Sequence, residues 1–169
     1  MKDPFPLPAI PALARAVEPL AEWASLPTLP AHVHEVLFAF AFYTGINFIV
    51  SPWMSRKYFG AHYNAMSRVK KVNWDVHVVS LVQSTLINAL ALWVMAVDRE
   101  RKAMDLEERI WGYTGASGLI QAFATGYFLW DLLITVMYLD VFGPGMLAHA
   151  VSAVLVYSLG FVSDPLLFW

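Results

Sequence analysis

Asp131 lies in GYFLWDLLITVMYLD, residues 126–140, among aromatic and aliphatic neighbours and without a basic residue in the stretch. Tyr127, Asp131 and Thr135 recur at i, i+4 and i+8, which puts all three on one face of a helix. His149 stands in LAHAVS and His77 in WDVHVVS, with Ser80 three residues after His77. An acid and an imidazole within reach of each other can do general acid–base work. The carboxylate sets the ring tautomer, and the ring takes a proton from an attacking amine or hydroxyl. The same polar set could instead hold a headgroup, so Tyr127, Asp131, His77, Ser80 and His149 are the candidate binding residues. His77, His149 and Asp131 are acceptable metal ligands by type, but no local ligand spacing supports a metal site and no cofactor is expected. The chain has no cysteine, which excludes disulfides, thiol nucleophiles and thiolate metal centres.

The solvent around these residues follows from composition. The chain of 169 residues is 59% hydrophobic and 14% charged, with a mean hydropathy of +0.55. Soluble domains carry about 25% charged residues. Nearly all charges fall before residue 36, between 56 and 75, or between 98 and 109, and the runs between them match the roughly 20 apolar residues that cross a bilayer. The expected fold is therefore an all-α, polytopic transmembrane bundle of about four spans, at 36–55, 76–97, 112–139 and 145–163, within a domain covering 35–169. A net charge of −2 and the lack of a basic tract argue against nucleic acid.

Residues 1–34 hold seven of the ten prolines and read as an arm. Within it, PALARAVEPLAEWASL (11–26) could lie on the membrane as a short amphipathic helix, a disordered tail being the alternative. Gly143, Pro144 and Gly145 predict a tight turn between spans three and four. Residues 56–75 read as the loop after span one, which carries Arg56, Lys57, Arg68, Lys70 and Lys71 against Asp75 alone and is placed in the cytosol. Trp53, Tyr58, Trp74 and Trp111, at span ends, read as interfacial anchors.

On a helix turning 100° per residue, His77, Ser80, Ser84 and Asn88 occupy an arc of about 80°. That stripe is expected to face other helices or a wet cavity rather than lipid. His149 lies roughly 7 Å and Asp131 roughly 12 Å inside the same membrane side, the side on which span two begins. A charge in mid-span costs at least ~2.5–3.5 kcal/mol unless it finds a partner. His149, His77, Tyr127 and the backbone are the candidate partners for Asp131. A protonated Asp131 that merely ties two helices together remains the bland alternative.

RVKKVNWDVHVVSLVQSTLINALAL, GYFLWDLL and MLAHAVSAVLVYSLGF, in that order, resemble the TLC-domain family, in the flavour of its fungal members. The resemblance covers roughly Val36 to the C-terminus. It implies a multi-span membrane protein of endoplasmic-reticulum type, related to ceramide synthases and to lipid-handling relatives of unclear activity. Ceramide synthases have adjacent histidines in the segment matching LAHAVS. Here the second matches His149 and the first is replaced by Ala148. The GYxxWD element matches Gly126, Tyr127, Trp130 and Asp131. The family's bundle usually continues beyond the span that holds the histidine.

Two functions follow as expectations. One is a membrane protein that binds or senses lipid, sphingolipids included, and influences bilayer composition. The other is a lipid N-acyltransferase with acyl-CoA as co-substrate, His149 as base and Asp131 as its orienting acid, the basic segment receiving the acyl-CoA phosphates. Membrane lipids are the expected partners, and a homo- or hetero-oligomer through the bundle stays open.

Overall fold

The computed structural model describes residues 1–162, the side chains of Ile110 and Trp111 excepted. Ser163, the predicted end of span four, the rest of the tail to Trp169, and the Trp111 side chain lie outside the described residues. Every regular element among them is helical. Four runs are long and apolar enough to cross a membrane: Leu29–Ala65, Arg68–Val97, Gly115–Met137 and Leu139–Phe161.

The arm folds into α1 (Pro11–Trp23), with Pro11 in the first helical turn, where a missing N–H leaves no bond unmade. The first membrane run is a composite. α2 (Leu29–Gly45) passes through one wide turn at Ile46–Val50, in which the Ser51 N–H donates to the Ile46 carbonyl, into α3 (Ser51–Ala65). Pro52 accounts for the wide turn: its ring excludes the carbonyl four residues back, and an extra residue lets the helix continue past it. α3 ends nearly two turns after a break at Phe59 (φ −124°, ψ 26°). α4 (Arg68–Val97) is capped by Ser67, whose Oγ accepts from the Lys70 N–H. Two short helices, α5 (Arg99–Ala103) and α6 (Leu106–Trp111), lead to α7 (Gly115–Met137), which opens on a reciprocal Thr114–Ser117 cap.

α8 (Leu139–Ser158) is interrupted at Gly143, whose φ of +77° suits a residue without a Cβ, and resumes at Pro144. The turn that the glycines and proline predict is therefore present, preceded by one extra helical turn at Leu139–Phe142.

α7 is the central element, packed against α2, α4 and α8. Tyr43, Val79, Phe123, Trp130 and Ile134 form the main core with Ala39. A smaller cluster of Leu26, Val36, Ala122 and Phe161 closes one end, where the Thr28 hydroxyl donates to the Phe161 carbonyl at 2.7 Å.

The connections gather into two polar ends. At one, the Arg68 guanidinium donates to Asp140 at 2.9 Å, so the α3–α4 and α7–α8 turns share a side. At the other, Asp98 ties the end of α4 to the start of α7, accepting from the Thr114 hydroxyl at 2.7 Å and the Arg101 N–H at 3.3 Å. Burial presses the Asp98 carboxyl up, but the Thr114 hydroxyl, the Met1 ammonium and the Arg101 amide together outweigh it and hold its pKa below the usual carboxylate value. A carboxylate depressed in the folded state adds stability that is complete above its unfolded pKa and lost as pH falls through the folded one. Asp98→Asn should therefore lower the thermal midpoint at neutral pH, and its gap from wild type should close on acidification.

Two sequence expectations need correction. Residues 56–75 are not a loop: they are the end of α3 and the start of α4, separated only by a turn at Met66–Ser67. The charges there sit on helix ends that face the polar end of the bundle. Among the described residues the stripe of Ser84 and Asn88 does not face other helices, both residues being exposed on α4. Each satisfies itself along its own helix, Ser84 donating to the Leu81 carbonyl and Asn88 to the Ser84 carbonyl, so neither needs an interhelical partner.

Candidate functional site

The inner face of α4 is built from Asp75, Val79 and Gln83. Ser80 and Tyr127, predicted as separate features of α4 and α7, meet there with 3.1 Å between their hydroxyl oxygens. The Tyr127 ring stands edge-on to Tyr43, with centroids 5.5 Å apart, and leans on Trp130. Tyr43 in turn donates to the Gln83 side-chain carbonyl. The Ser80–Tyr127 pair is thus backed by a second polar pair, Tyr43–Gln83, one layer deeper.

Asp131 follows one turn after Tyr127 and is half-buried. His149, across the α7–α8 interface, is its electrostatic neighbour. No hydrogen bond or ion pair joins the two side chains among the described residues, and His149 is exposed. His77 stands apart from this group on the outer face of α4, where its Nδ1–H donates to the Asn73 carbonyl at 2.6 Å. The five predicted residues therefore divide into Ser80–Tyr127 in contact, Asp131 and His149 on neighbouring helices with no bond between them among the described residues, and His77 by itself.

His77 has a different setting. An open groove of about 630 Å³ runs between α3 and α4, lined by His62, Met66, Lys70, Asn73, Trp74, His77, Val78 and Leu81. Its polar members, His62, Lys70, Asn73 and His77, cluster toward the polar end of α4, and Val78 and Leu81 continue along the span. Trp74 is not a free interfacial anchor: its indole N–H donates to the Ser55 hydroxyl at 2.9 Å. Trp53 and Tyr58, in contrast, are largely exposed.

The wall behind the groove is held by a buried acid. Asp75 accepts from the Ser51 hydroxyl at 2.6 Å and from the Tyr63 hydroxyl at 2.8 Å. Read from sequence, Asp75 is only the single acid of a basic segment, and its charge pattern does not predict burial. Its position between Trp74 and Val76, at the spacing of Val79 and Gln83, was the available signal. His32 and Glu35, also buried, straddle the boundary at residue 34 where the Pro-rich arm reads as ending, so their spacing on one helix is not apparent from sequence.

A family model described as TLC domain matches residues 73–169. The chain is 36% identical over 150 residues to an uncharacterized TLC domain-containing protein of Schizosaccharomyces pombe, covering 89% of this chain and 49% of that protein. It is 29% identical to Topoisomerase I damage affected protein 4 of Saccharomyces cerevisiae, over 76% of this chain and 44% of the other. It is 31% identical to TLC domain-containing protein 4 of Homo sapiens, over 57% and 35% respectively. The chain spans about half the length, or less, of these curated relatives. No solved structure matches it.

Proposed function

The chain belongs to the TLC-domain family of membrane proteins, and from that premise we propose that it binds membrane lipid in the groove between α3 and α4 and thereby influences bilayer composition. The observation that carries this reading is the chemistry of the groove. One amphiphile could place an anionic headgroup against Lys70, with hydrogen bonds from His62, Asn73 and His77, and lay its chain along Val78 and Leu81. A volume of about 630 Å³ falls in the range of small-molecule sites, enough for a headgroup and the first part of a chain. The basic residues 56–71 at this end favour a cytosolic position for it, in a membrane of endoplasmic-reticulum type, where anionic lipid would add to the attraction. Phospholipid and sphingolipid headgroups both fit this chemistry.

A lysine beside an anionic surface strengthens lipid attachment by about fivefold. Lys70→Gln is accordingly expected to reduce retention of anionic relative to zwitterionic lipid by about that factor. Mass spectrometry of lipid carried through purification in mixed micelles measures it. An unchanged ratio, with Trp74→Ala also without effect on retention, would remove the groove as the binding site.

Acyl transfer is the second reading, favoured by the charge interaction between His149 on α8 and Asp131 on α7. It ranks lower because among the described residues no hydrogen bond orients the imidazole and because Ala148 stands where the acyl-transferring relatives have a histidine. Time-dependent acylation of a sphingoid base from acyl-CoA by the purified chain, abolished in His149→Ala, would reverse that order.

A further inference from the structure

We infer that Asp3, His32 and Glu35 form a binding site for one divalent transition-metal cation of the zinc class, where the N-terminal arm crosses the start of α2. The site lies at the end of the bundle away from the α3–α4 groove and does not depend on the lipid reading.

Its framework is local. His32 and Glu35 stand at i and i+3 in HVHE, on one face of α2, and both are essentially excluded from solvent at 1% and 0% exposure. The Glu35 Oε2 lies 2.9 Å from His32 Nδ1, and Asp3 Oδ2 approaches the same nitrogen to 3.5 Å. One ligand atom from each residue lies within 4.8 Å of the other two. Ligands on one tetrahedral zinc ion sit roughly 3.3 Å apart, given bonds of about 2.0–2.2 Å. Asp3, on the exposed arm, can close the difference. Its other oxygen is already aimed, accepting from the Phe5 N–H at 2.9 Å.

Charge makes the case for a cation. Two carboxylates face one imidazole, and among the described residues no Lys or Arg pairs with either acid. The Glu35 Oε1 is buried without any hydrogen-bond partner. His34 Nε2, 3.6 Å from that oxygen, is committed to the Leu7 carbonyl at 3.0 Å. A buried, unpaired carboxylate oxygen is expensive, and paired carboxylates need positive charge between them.

The surroundings suit a ligand histidine. Tyr113 Oη lies 2.5 Å from His32 Nε2. With Nε2–H donating to that hydroxyl, the Nδ1 lone pair is free for a metal, an outer hydrogen bond that metal-bound histidines usually make. Gly118 gives the ring its room, since a Cβ there would come within 2.2 Å of Nε2. A cavity of about 340 Å³ beside the cluster, walled by Phe5, Leu7 and Pro8, offers entry and space for water on the remaining coordination position.

The test uses the full chain, purified in detergent with any affinity tag removed, and Zn²⁺ alone as the probe. Elemental analysis after desalting should find about one zinc per chain, and Co²⁺ should produce the visible absorption of a low-symmetry site. Glu35→Gln and Asp3→Asn should each weaken zinc affinity by more than about 100-fold, and Tyr113→Phe by about 10–100-fold, the range for an outer partner. Glu18→Gln, an exposed acid on α1, should leave it unchanged. If Glu35→Gln does not fold, Asp3→Asn decides alone, its fold checked by metal-free thermal unfolding. Wild-type protein that holds no zinc at micromolar supply, its two acids sharing a proton instead, overturns the site. Zinc bound equally by wild type and Asp3→Asn overturns it as well.

Discussion

Gly126→Leu is expected to leave no folded, monodisperse protein after detergent extraction. Gly118, Ala122 and Gly126 recur every four residues along α7, all buried. This small-residue face lets α7 approach α2 at backbone distance, as helices in membranes often do. A Cβ at 126 would lie 2.6 Å from both the Ala39 Cβ and the Val36 carbonyl oxygen, and 3.0 Å from the Phe40 nitrogen. Two of those three atoms are backbone, so no rotamer change relieves the clash and the helices must separate. Even Gly126→Ala should cost about 1–3 kcal/mol by overpacking, and leucine more. Separation of α2 from α7 would also part Tyr43 from Tyr127 and pull His32 from Tyr113, so the layer behind Ser80–Tyr127 and the Asp3–His32–Glu35 cluster fail with the fold. Gly45 supplies the contrast: a Cβ there meets nothing within 4 Å, and Gly45→Ala in mid-helix should be neutral or raise stability by up to about 1 kcal/mol. Thermal unfolding followed by tryptophan fluorescence separates the three variants. Equal midpoints for Gly126→Ala and wild type would mean that the α2–α7 contact does not hold the bundle.

The spans were legible because hydropathy acts over some twenty residues, a length over which single misplaced side chains average out. The turn at Gly143 was legible because glycine and proline restrict the backbone directly. Charge was misleading between Arg56 and Asp75: it marks where a helix leaves the hydrocarbon, not where the helix stops. Face assignment on α4 failed for a related reason. Polar character alone does not choose the inner face, since Ser84 and Asn88 can bond to their own helix, whereas Gln83 reaches Tyr43 and Asp75 reaches Ser51 and Tyr63. The meeting of Ser80 with Tyr127 was not legible, because depth along a span does not say which residues of two helices turn toward each other. The cluster at His32 was half visible in the spacing of HVHE. Its other members, Asp3 and Tyr113, come from 29 residues before and 81 residues after it, separations at which no local pattern operates.

Asp75→Ala is expected to destabilise the chain by about 3 kcal/mol and to empty the groove of lipid. A hydrogen bond to a charged group contributes about 1.5–3 kcal/mol, and a buried hydroxyl left without an acceptor costs a further penalty. Asp75 is the acceptor for two such hydroxyls, on Ser51 and Tyr63, and is 8% exposed. Both partners lie on α3, one before and one after the break at Phe59, so one carboxylate fixes the two halves of that helix against α4. The neighbouring Trp74–Ser55 bond clamps the same pair from the adjacent position. The groove between α3 and α4 has its shape only while that angle holds, which makes a stability change there a binding change too. Tyr63→Phe and Ser51→Ala should each lose about 1–2 kcal/mol. Because the three groups act as a unit, Asp75→Ala combined with Tyr63→Phe should cost clearly less than the sum of the single changes, with a coupling of at least about 0.5 kcal/mol. Asp75→Asn, which keeps one acceptor, should fall between wild type and alanine in both thermal midpoint and lipid retention. Full additivity in the double variant, with lipid retention unaltered in Asp75→Ala, would show that the carboxylate neither joins the two halves of α3 nor shapes the groove they wall.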